Sequence, residues 1–192
     1  MNKLIPVIAI ALFTSCVFAQ KVEVKTVSSV DLTKYVGTWY EVATIPQSFQ
    51  KDCVKNTKAN YKALSANKID VINTCTAAEG KTKVANGRAK VEDTVSNAKL
   101  QVSFVKLFGG YIFPFGGEYW IIDLATDYSY ALIGNPSQKY AWILTRTPNV
   151  SIQTLERASK MLKQNGYNTC DIITSVQDGG NQKKQPLCDV VK

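Results

Sequence analysis

The side chains best suited to covalent or metal chemistry are five cysteines, Cys16, Cys53, Cys75, Cys170 and Cys188, in a chain without histidine. That absence removes the commonest general base and the commonest neutral metal ligand. The cysteine spacings match no zinc pattern, and a mixed Cys/His set cannot be completed. A free thiolate would be the strongest nucleophile available. The last four cysteines, however, form an even set, which in an exported chain reads as two disulfides. The expectation is a chain that binds rather than reacts, with no metal and no cofactor.

The other concentration of unusual side chains is aromatic. In "DLTKYVGTWYEVA" Gly37 stands two residues before Trp39 inside a strand-like run, where glycine is normally unfavourable. The segment Leu107 to Trp120, "LFGGYIFPFGGEYW", sets aromatics between glycines in a strand connection. It reads as a hairpin packed on itself, a mobile cap, a partner surface or a membrane-touching loop. The net charge is +8, and its lysines are scattered. A solvated surface is the plain reading, and an anionic membrane surface is the partner the charge allows. Nucleic acid is not expected, because no aromatic platforms interleave with the charges.

The elements that must position these groups are mostly strands. Residues 1–19 read as a secretory signal, with Lys3 before an apolar run from Leu4 to Phe13 and small residues before Gln20. Removing Lys3 with that leader leaves +7. A second reading makes "FTSC" a lipoprotein box with Cys16 lipidated. The domain is residues 20–192. From Val36 onward come eight strand-like segments, "VGTWYEVATI", "VKNTKANYKAL", "NKIDVINTCT", "TKVANGRAKVE", "KLQVSFVKLF", "EYWIIDLATD", "YSYALIGN" and "YAWILTRT". Such regular spacing points to a sandwich or an up-and-down barrel. One helix follows, with Ile152, Leu155, Ala158 and Leu162 on one face, Ser151 as N-cap and Gly166 just past its end. "CDIITSV" is a ninth short strand, and a polar tail runs to Cys188. Strand parity puts Cys53 in phase with Tyr61, and Cys75 with Ile69 and Val71, on strands flanking one turn. Those two sulfurs can then meet, which leaves Cys170 to pair with Cys188.

Eight antiparallel strands, a helix and a ninth strand follow the element order of a lipocalin. The chain resembles that family over its whole mature length through "GTW" (Gly37 to Trp39), "TDY" (Thr126, Asp127, Tyr128) and the arginine of "WILTRTP", Arg146. Within the family it is most similar to the bacterial lipocalins and apolipoprotein D. The resemblance implies an eight-stranded barrel in which Trp39 plugs the closed end and Arg146 packs across it, with Gly37 making room. If Arg146 reaches that floor, alternation puts Trp142 in the cavity wall. Carry-over from apolipoprotein D adds Tyr61, Phe104 and Tyr119, and alternation from these adds Ala59, Leu100, Val71, Val102 and Ile121. The apolipoprotein D disulfide pattern would instead tie the start of the second strand to the C-terminal tail, but its cysteine falls three residues beyond Cys53. The alternative pairing therefore stays open at this point.

An eight-stranded barrel has room for one small ligand. The resemblance implies an exported carrier of a fatty acid or lysophospholipid, and a cavity lined by aromatics and aliphatics with a few hydroxyls suits such an amphiphile with its acyl chain inside and its polar head at the mouth. It also implies a role in lipid handling at a periplasmic or outer-membrane site, or after secretion. Members that hold haem through histidine are excluded as models. The alternatives are a tetrapyrrole, retinoid or steroid binder, or an envelope interaction protein that uses the 107–120 loop and keeps an empty barrel.

Overall fold

Apolar residues recurring at every second position close into a ring of strands. The computed structural model describes residues 22–191, so the signal reading and Cys16 lie outside the described residues. A short helix α1 (Leu32–Tyr35) precedes β1 (Gly37–Thr44), β2 (Lys55–Ser65), β3 (Lys68–Thr76), β4 (Thr82–Val91) and β5 (Lys99–Ser103). A small hairpin of β6 (Lys106–Leu107) and β7 (Gly110–Tyr111) then leads to β8 (Gly117–Leu124), β9 (Tyr130–Gly134) and β10 (Trp142–Thr145). Apart from β6 and β7, each strand pairs antiparallel with the next. β10 returns to β1 with Tyr40 opposite Thr145 and Thr44 opposite Trp142, which closes an eight-stranded barrel. Helix α2 (Ile152–Gln164), strand β11 (Ile173–Thr174) and helix α3 (Leu187–Val190) complete the chain.

Bulges between Glu41 and Ala43 in β1, and between Ile121 and Asp123 in β8, divide the apolar residues into two cores. An extra residue bends a strand and changes which side chains face inward. Trp39 and Ile121 therefore belong to the barrel interior, while Val42, Ala43 and Ile122 pack outside it. That outer core holds α2 through Leu155, Ala158 and Leu162. Ser151 caps α2 by accepting the Thr154 N–H, and Gly166 takes φ +77 beyond its end. Ile152 departs from the expected buried face. It is the first helical residue and stays 43% exposed, and Ser159 joins the buried side in its place.

Two further boundaries differ from the pattern of the sequence. The fifth strand stops at Ser103 instead of running to Phe108. The Ser103 hydroxyl donates to the Ile112 carbonyl at 2.7 Å and accepts the Val105 N–H at 3.2 Å, which turns the chain into the extra hairpin. In addition, β1 pairs with β2 only through Gly37–Tyr40, and above that point the C-terminal segment fills the seam. There β11 pairs with Ala43 and Thr44, the Ser175 N–H donates to the Val42 carbonyl, and the Asn56 N–H donates to the Val176 carbonyl. The disulfides join Cys53 to Cys75 and Cys170 to Cys188, with Cα atoms 5.6 and 5.0 Å apart. The first ties the entry of β2 to the end of β3, and the second holds the tail beside β11.

Candidate functional site

The closed end is built around Trp39, which is fully buried. Its indole N–H donates to the Tyr35 carbonyl at 2.8 Å, and the Arg146 guanidinium lies 3.8 Å from a ring centroid. Arg146 also donates to four backbone carbonyls: Nη1 to Thr38 (2.9 Å), Nη2 to Lys34 (2.7 Å) and Tyr35 (3.2 Å), and Nε to Tyr128 (3.2 Å). Only a planar five-donor fork can bond that many groups while stacking on a ring. Gly37 has φ +99, and a Cβ there would stand 3.3 Å from Arg146 Nη1. The glycine thus meets a backbone requirement and a close approach to the arginine, rather than to the tryptophan.

The "TDY" residues make the β8–β9 turn at the same end. Tyr128 holds φ +60, and its hydroxyl accepts the Asp31 N–H at 2.8 Å. Asp127 accepts from the Ser129 N–H and hydroxyl, which keeps its carboxyl below the usual range. Thr126 opens the turn. The motif residues Gly37, Trp39, Thr126, Asp127, Tyr128 and Arg146 therefore gather in one structural floor.

Above the floor the seven candidate residues differ in burial. Tyr61, Val71 and Ile121 are buried in the inner core, while Val102, Tyr119 and Trp142 are partly buried against it. Trp142 stacks on Tyr140, with centroids 6.0 Å apart and planes 16° from parallel. Phe104 is 44% exposed and lies outside that cluster, its ring over Gly87, where a Cβ would come within 2.7 Å. The expected positions Ala59 and Leu100 are also in the inner core.

Two groups were not singled out from the sequence. Tyr35 is buried between Trp39 (centroids 5.1 Å apart) and Tyr61 (5.9 Å, nearly parallel), and its hydroxyl meets that of Tyr119 at 2.7 Å. Its signal was its place four residues before Trp39, at the end of the short helix that leads into β1. Glu41 is 5% exposed and accepts from the Ser175 hydroxyl at 2.6 Å and from Gln50 Nε2 at 2.7 Å. Burial raises its carboxyl pKa from the ordinary value. Gln177 donates to the carbonyls of both Glu41 and Thr57, bridging the seam. The inward parity of Glu41 with Trp39 was readable, but Ser175 and Gln177, two of its partners, lie more than a hundred residues away.

The open end carries the aromatic loop. Phe108 and Gly109 form the tip of the β6–β7 hairpin, both with positive φ. Phe108 is fully exposed, and Leu107 and Phe115 are 53% and 74% exposed. Arg88 and Lys106 flank the Tyr111 ring, at 5.1 and 4.8 Å from its centroid.

A single-ended antiparallel barrel with an arginine-locked tryptophan floor, an apolar interior and an aromatic rim defines a barrel-type binding protein. Residues 30–177 match the model of the lipocalin-like domain, and the chain belongs to the lipocalin family, a family of small hydrophobic ligand binders. It is 35% identical over 150 residues to temperature-induced lipocalin-1 of Arabidopsis thaliana, covering 78% of this chain and 80% of that protein. It is 34% identical over 152 residues to the outer membrane lipoprotein Blc of Vibrio cholerae, covering 78% and 84%. To apolipoprotein D of Mus musculus it is 33% identical over 158 residues, covering 77% of each. Insecticyanin from the tobacco hornworm Manduca sexta superposes with a TM-score of 0.64 at 22% identity, over 85% of this chain and 93% of that one, a likeness of fold.

Proposed function

We propose that this protein carries or stores a single-chain lipid, a fatty acid or lysophospholipid, in its barrel and hands it to or takes it from a membrane surface. The observation that carries the reading is the gradient along the barrel wall. Buried Tyr61, Val71 and Ile121 lie beneath half-buried Val102, Tyr119 and Trp142, and exposed Phe104 stands at the rim. An apolar interior with a few hydroxyls and an aromatic entrance suits a long hydrocarbon with one polar end. The similarity to Blc, named an outer membrane lipoprotein, and the signal-like leader support a place in the cell envelope, periplasmic or at the outer membrane.

Native mass spectrometry of the purified protein is the direct test. A co-purified or added fatty acid or lysophospholipid at one per chain is the expected result. A bound tetrapyrrole, retinoid or steroid would replace the ligand class, and a barrel that stays empty with every lipid offered would turn the reading toward an envelope interaction protein. Trp142→Ala is expected to weaken lipid binding while leaving the unfolding midpoint nearly unchanged, because Trp142 stacks at the half-buried rim rather than in the floor. Unaltered lipid affinity in that variant would remove Trp142 from the site.

A further inference from the structure

Three phenol hydroxyls meet inside the barrel with only two contacts among them. Tyr119 Oη lies 2.7 Å from Tyr35 Oη and 3.1 Å from Tyr61 Oη. Each contact consumes one hydroxyl hydrogen. Three hydrogens and two contacts leave one O–H without an acceptor, whichever way the groups rotate. Among the described residues no other side chain or carbonyl bonds to any of the three. Tyr35 is 1% and Tyr61 9% exposed, and Tyr119 is half-buried, as are Val102 and Trp142. An unpaired donor in such a place is unfavourable until an acceptor arrives. Hydroxyls already linked to one another polarise and donate more strongly.

The surroundings choose the sign of that acceptor. Arg146 lies under Trp39 and Tyr35, and its positive charge is felt at Tyr35 and Tyr61. Burial holds all three phenols above the ordinary tyrosine value, Tyr61 at about 12, so they remain neutral donors near neutral pH. Glu41, the carboxyl whose charge reaches Tyr61, is already bonded to Ser175 and Gln50. A ligand oxygen suits the free O–H, whereas an ammonium group, which only donates, would leave that O–H unpaired and stand near the Arg146 cation.

Resting on the carrier reading above, we infer that the Tyr35–Tyr61–Tyr119 cluster anchors the oxygen-bearing end of a long-chain ligand, a fatty acid or fatty alcohol, bound with that end toward the floor. The hydrocarbon then rises past Val102 and Trp142 to the rim at Phe104. This reverses the head-at-mouth arrangement expected from the cavity lining read in the sequence. It also selects within the proposed ligand class. A carboxyl or hydroxyl is compact enough to reach the cluster, whereas the bulky charged headgroup of a lysophospholipid is not.

The test uses oleic acid labelled with carbon-13 at its carboxyl, bound to the full mature protein. In the wild type the bound carboxyl resonance should stay nearly constant from about pH 4 to about pH 8, because a buried head does not titrate as a solvated one does. Tyr119→Phe keeps the ring and removes the one half-buried hydroxyl of the three, the one a ligand entering from the mouth would meet, and it leaves the Tyr35 and Tyr61 hydroxyls buried and no longer polarised by a shared partner. It should weaken oleic acid binding roughly five- to tenfold, the effect of about one hydrogen bond. Tyr61→Phe, checked for the same folded spectrum, still leaves one free O–H on the Tyr35–Tyr119 pair but shortens the polarised chain, so it should weaken binding in the same direction by a smaller factor and guards against a folding defect in the first variant. Lysophosphatidylcholine should bind more weakly than oleic acid to the wild type. A wild-type complex whose carboxyl titrates like a solvated acid would leave the carrier reading standing and overturn the anchor. So would folded Tyr119→Phe and Tyr61→Phe variants that both bind oleic acid as the wild type does. A wild type that binds neither oleic acid nor any other lipid would overturn both.

Discussion

At the scale of single residues, Arg146 is the side chain on which the closed end turns. It satisfies four carbonyls and lies over Trp39, so its removal leaves three half-buried acceptors and one exposed one without that donor and uncovers an indole together. Lysine offers a point charge and no planar fork. Arg146→Lys is therefore expected to lower unfolding stability by about 2–4 kcal/mol, and Trp39→Ala by roughly 3–5 kcal/mol through the void it leaves. Urea denaturation measures both, and a lysine variant as stable as the wild type would mean that the carbonyls find water instead. Gly37→Ala tests a different cause. At φ +99 an alanine is strained, and its methyl would press on Arg146 Nη1, so about 1–3 kcal/mol should be lost. Because both effects bear on Arg146, the loss should shrink when Gly37→Ala is made in the Arg146→Lys background. Equal losses in the two backgrounds would show that the backbone angle alone accounts for the glycine.

At the scale of elements, the seam between β1 and β2 is where local pattern and final structure part. Trp39 and Arg146 were legible through the lipocalin motifs that carry the resemblance, and strand parity across one short turn brought Cys53 to Cys75. Alternation from Arg146 put Trp142 on the inner face, the likeness to apolipoprotein D put Tyr61 there, and alternation from such anchors added Val71, Val102 and Ile121. Glu41, Ser175 and Gln177 were not legible, since they meet across separations of 134 and 136 residues. Nor was the position of Ile152, because a helical face read from spacing does not say which end overhangs the sheet. Glu41 gives this seam a pH signature. Its folded pKa is raised by burial above the ordinary 4.5, with Ser175, Gln50 and Lys184 opposing the rise. A carboxyl whose folded pKa is raised contributes stability that is complete below the unfolded value and is lost as pH rises through the folded one. Gln50 Oε1 is buried without a partner and, after an amide flip, can accept from a protonated Glu41 or from a glutamine at that place. Glu41→Gln should thus gain stability relative to the wild type as pH rises from about 4 to about 7. Other acids, such as Asp178 and Asp127, have lowered values and run in the opposite sense. The difference between the two proteins isolates Glu41, and a difference flat with pH would show that Glu41 ionises in the fold as easily as in the unfolded chain.

At the scale of the whole molecule, the two ends of the barrel are dissimilar. The closed end is locked by Arg146, while the open end presents Phe49, Leu107, Phe108 and Phe115 to solvent, from 53% to 100% exposed. Those side chains come from two loops at the mouth, the β1–β2 and β5–β8 connections. Among the described residues, Lys51, Lys106 and Lys139 of that end form no salt bridge, and the chain as a whole is positively charged. Apolar tips among unpaired lysines suit a bilayer that carries anionic lipid, into which the tips insert while the lysines stay at the headgroups. Docked in this way, the mouth opens directly onto the acyl region, so a lipid can pass without crossing water. The expected outcome is sedimentation with vesicles of mixed phosphatidylcholine and phosphatidylglycerol, and much less with phosphatidylcholine alone. Salt should weaken it, because exposed charges are screened within about 10 Å at 0.1 M ionic strength. Replacing Leu107 and Phe108 by serine removes two insertable side chains and should reduce vesicle binding roughly tenfold or more, while binding of oleic acid in the absence of vesicles stays near the wild-type value. Transfer of a fluorescent fatty acid from the protein to those vesicles should slow in the same variant. If transfer proceeds at the wild-type rate while vesicle binding is lost, the ligand leaves through water, and the exposed hairpin serves some contact other than delivery.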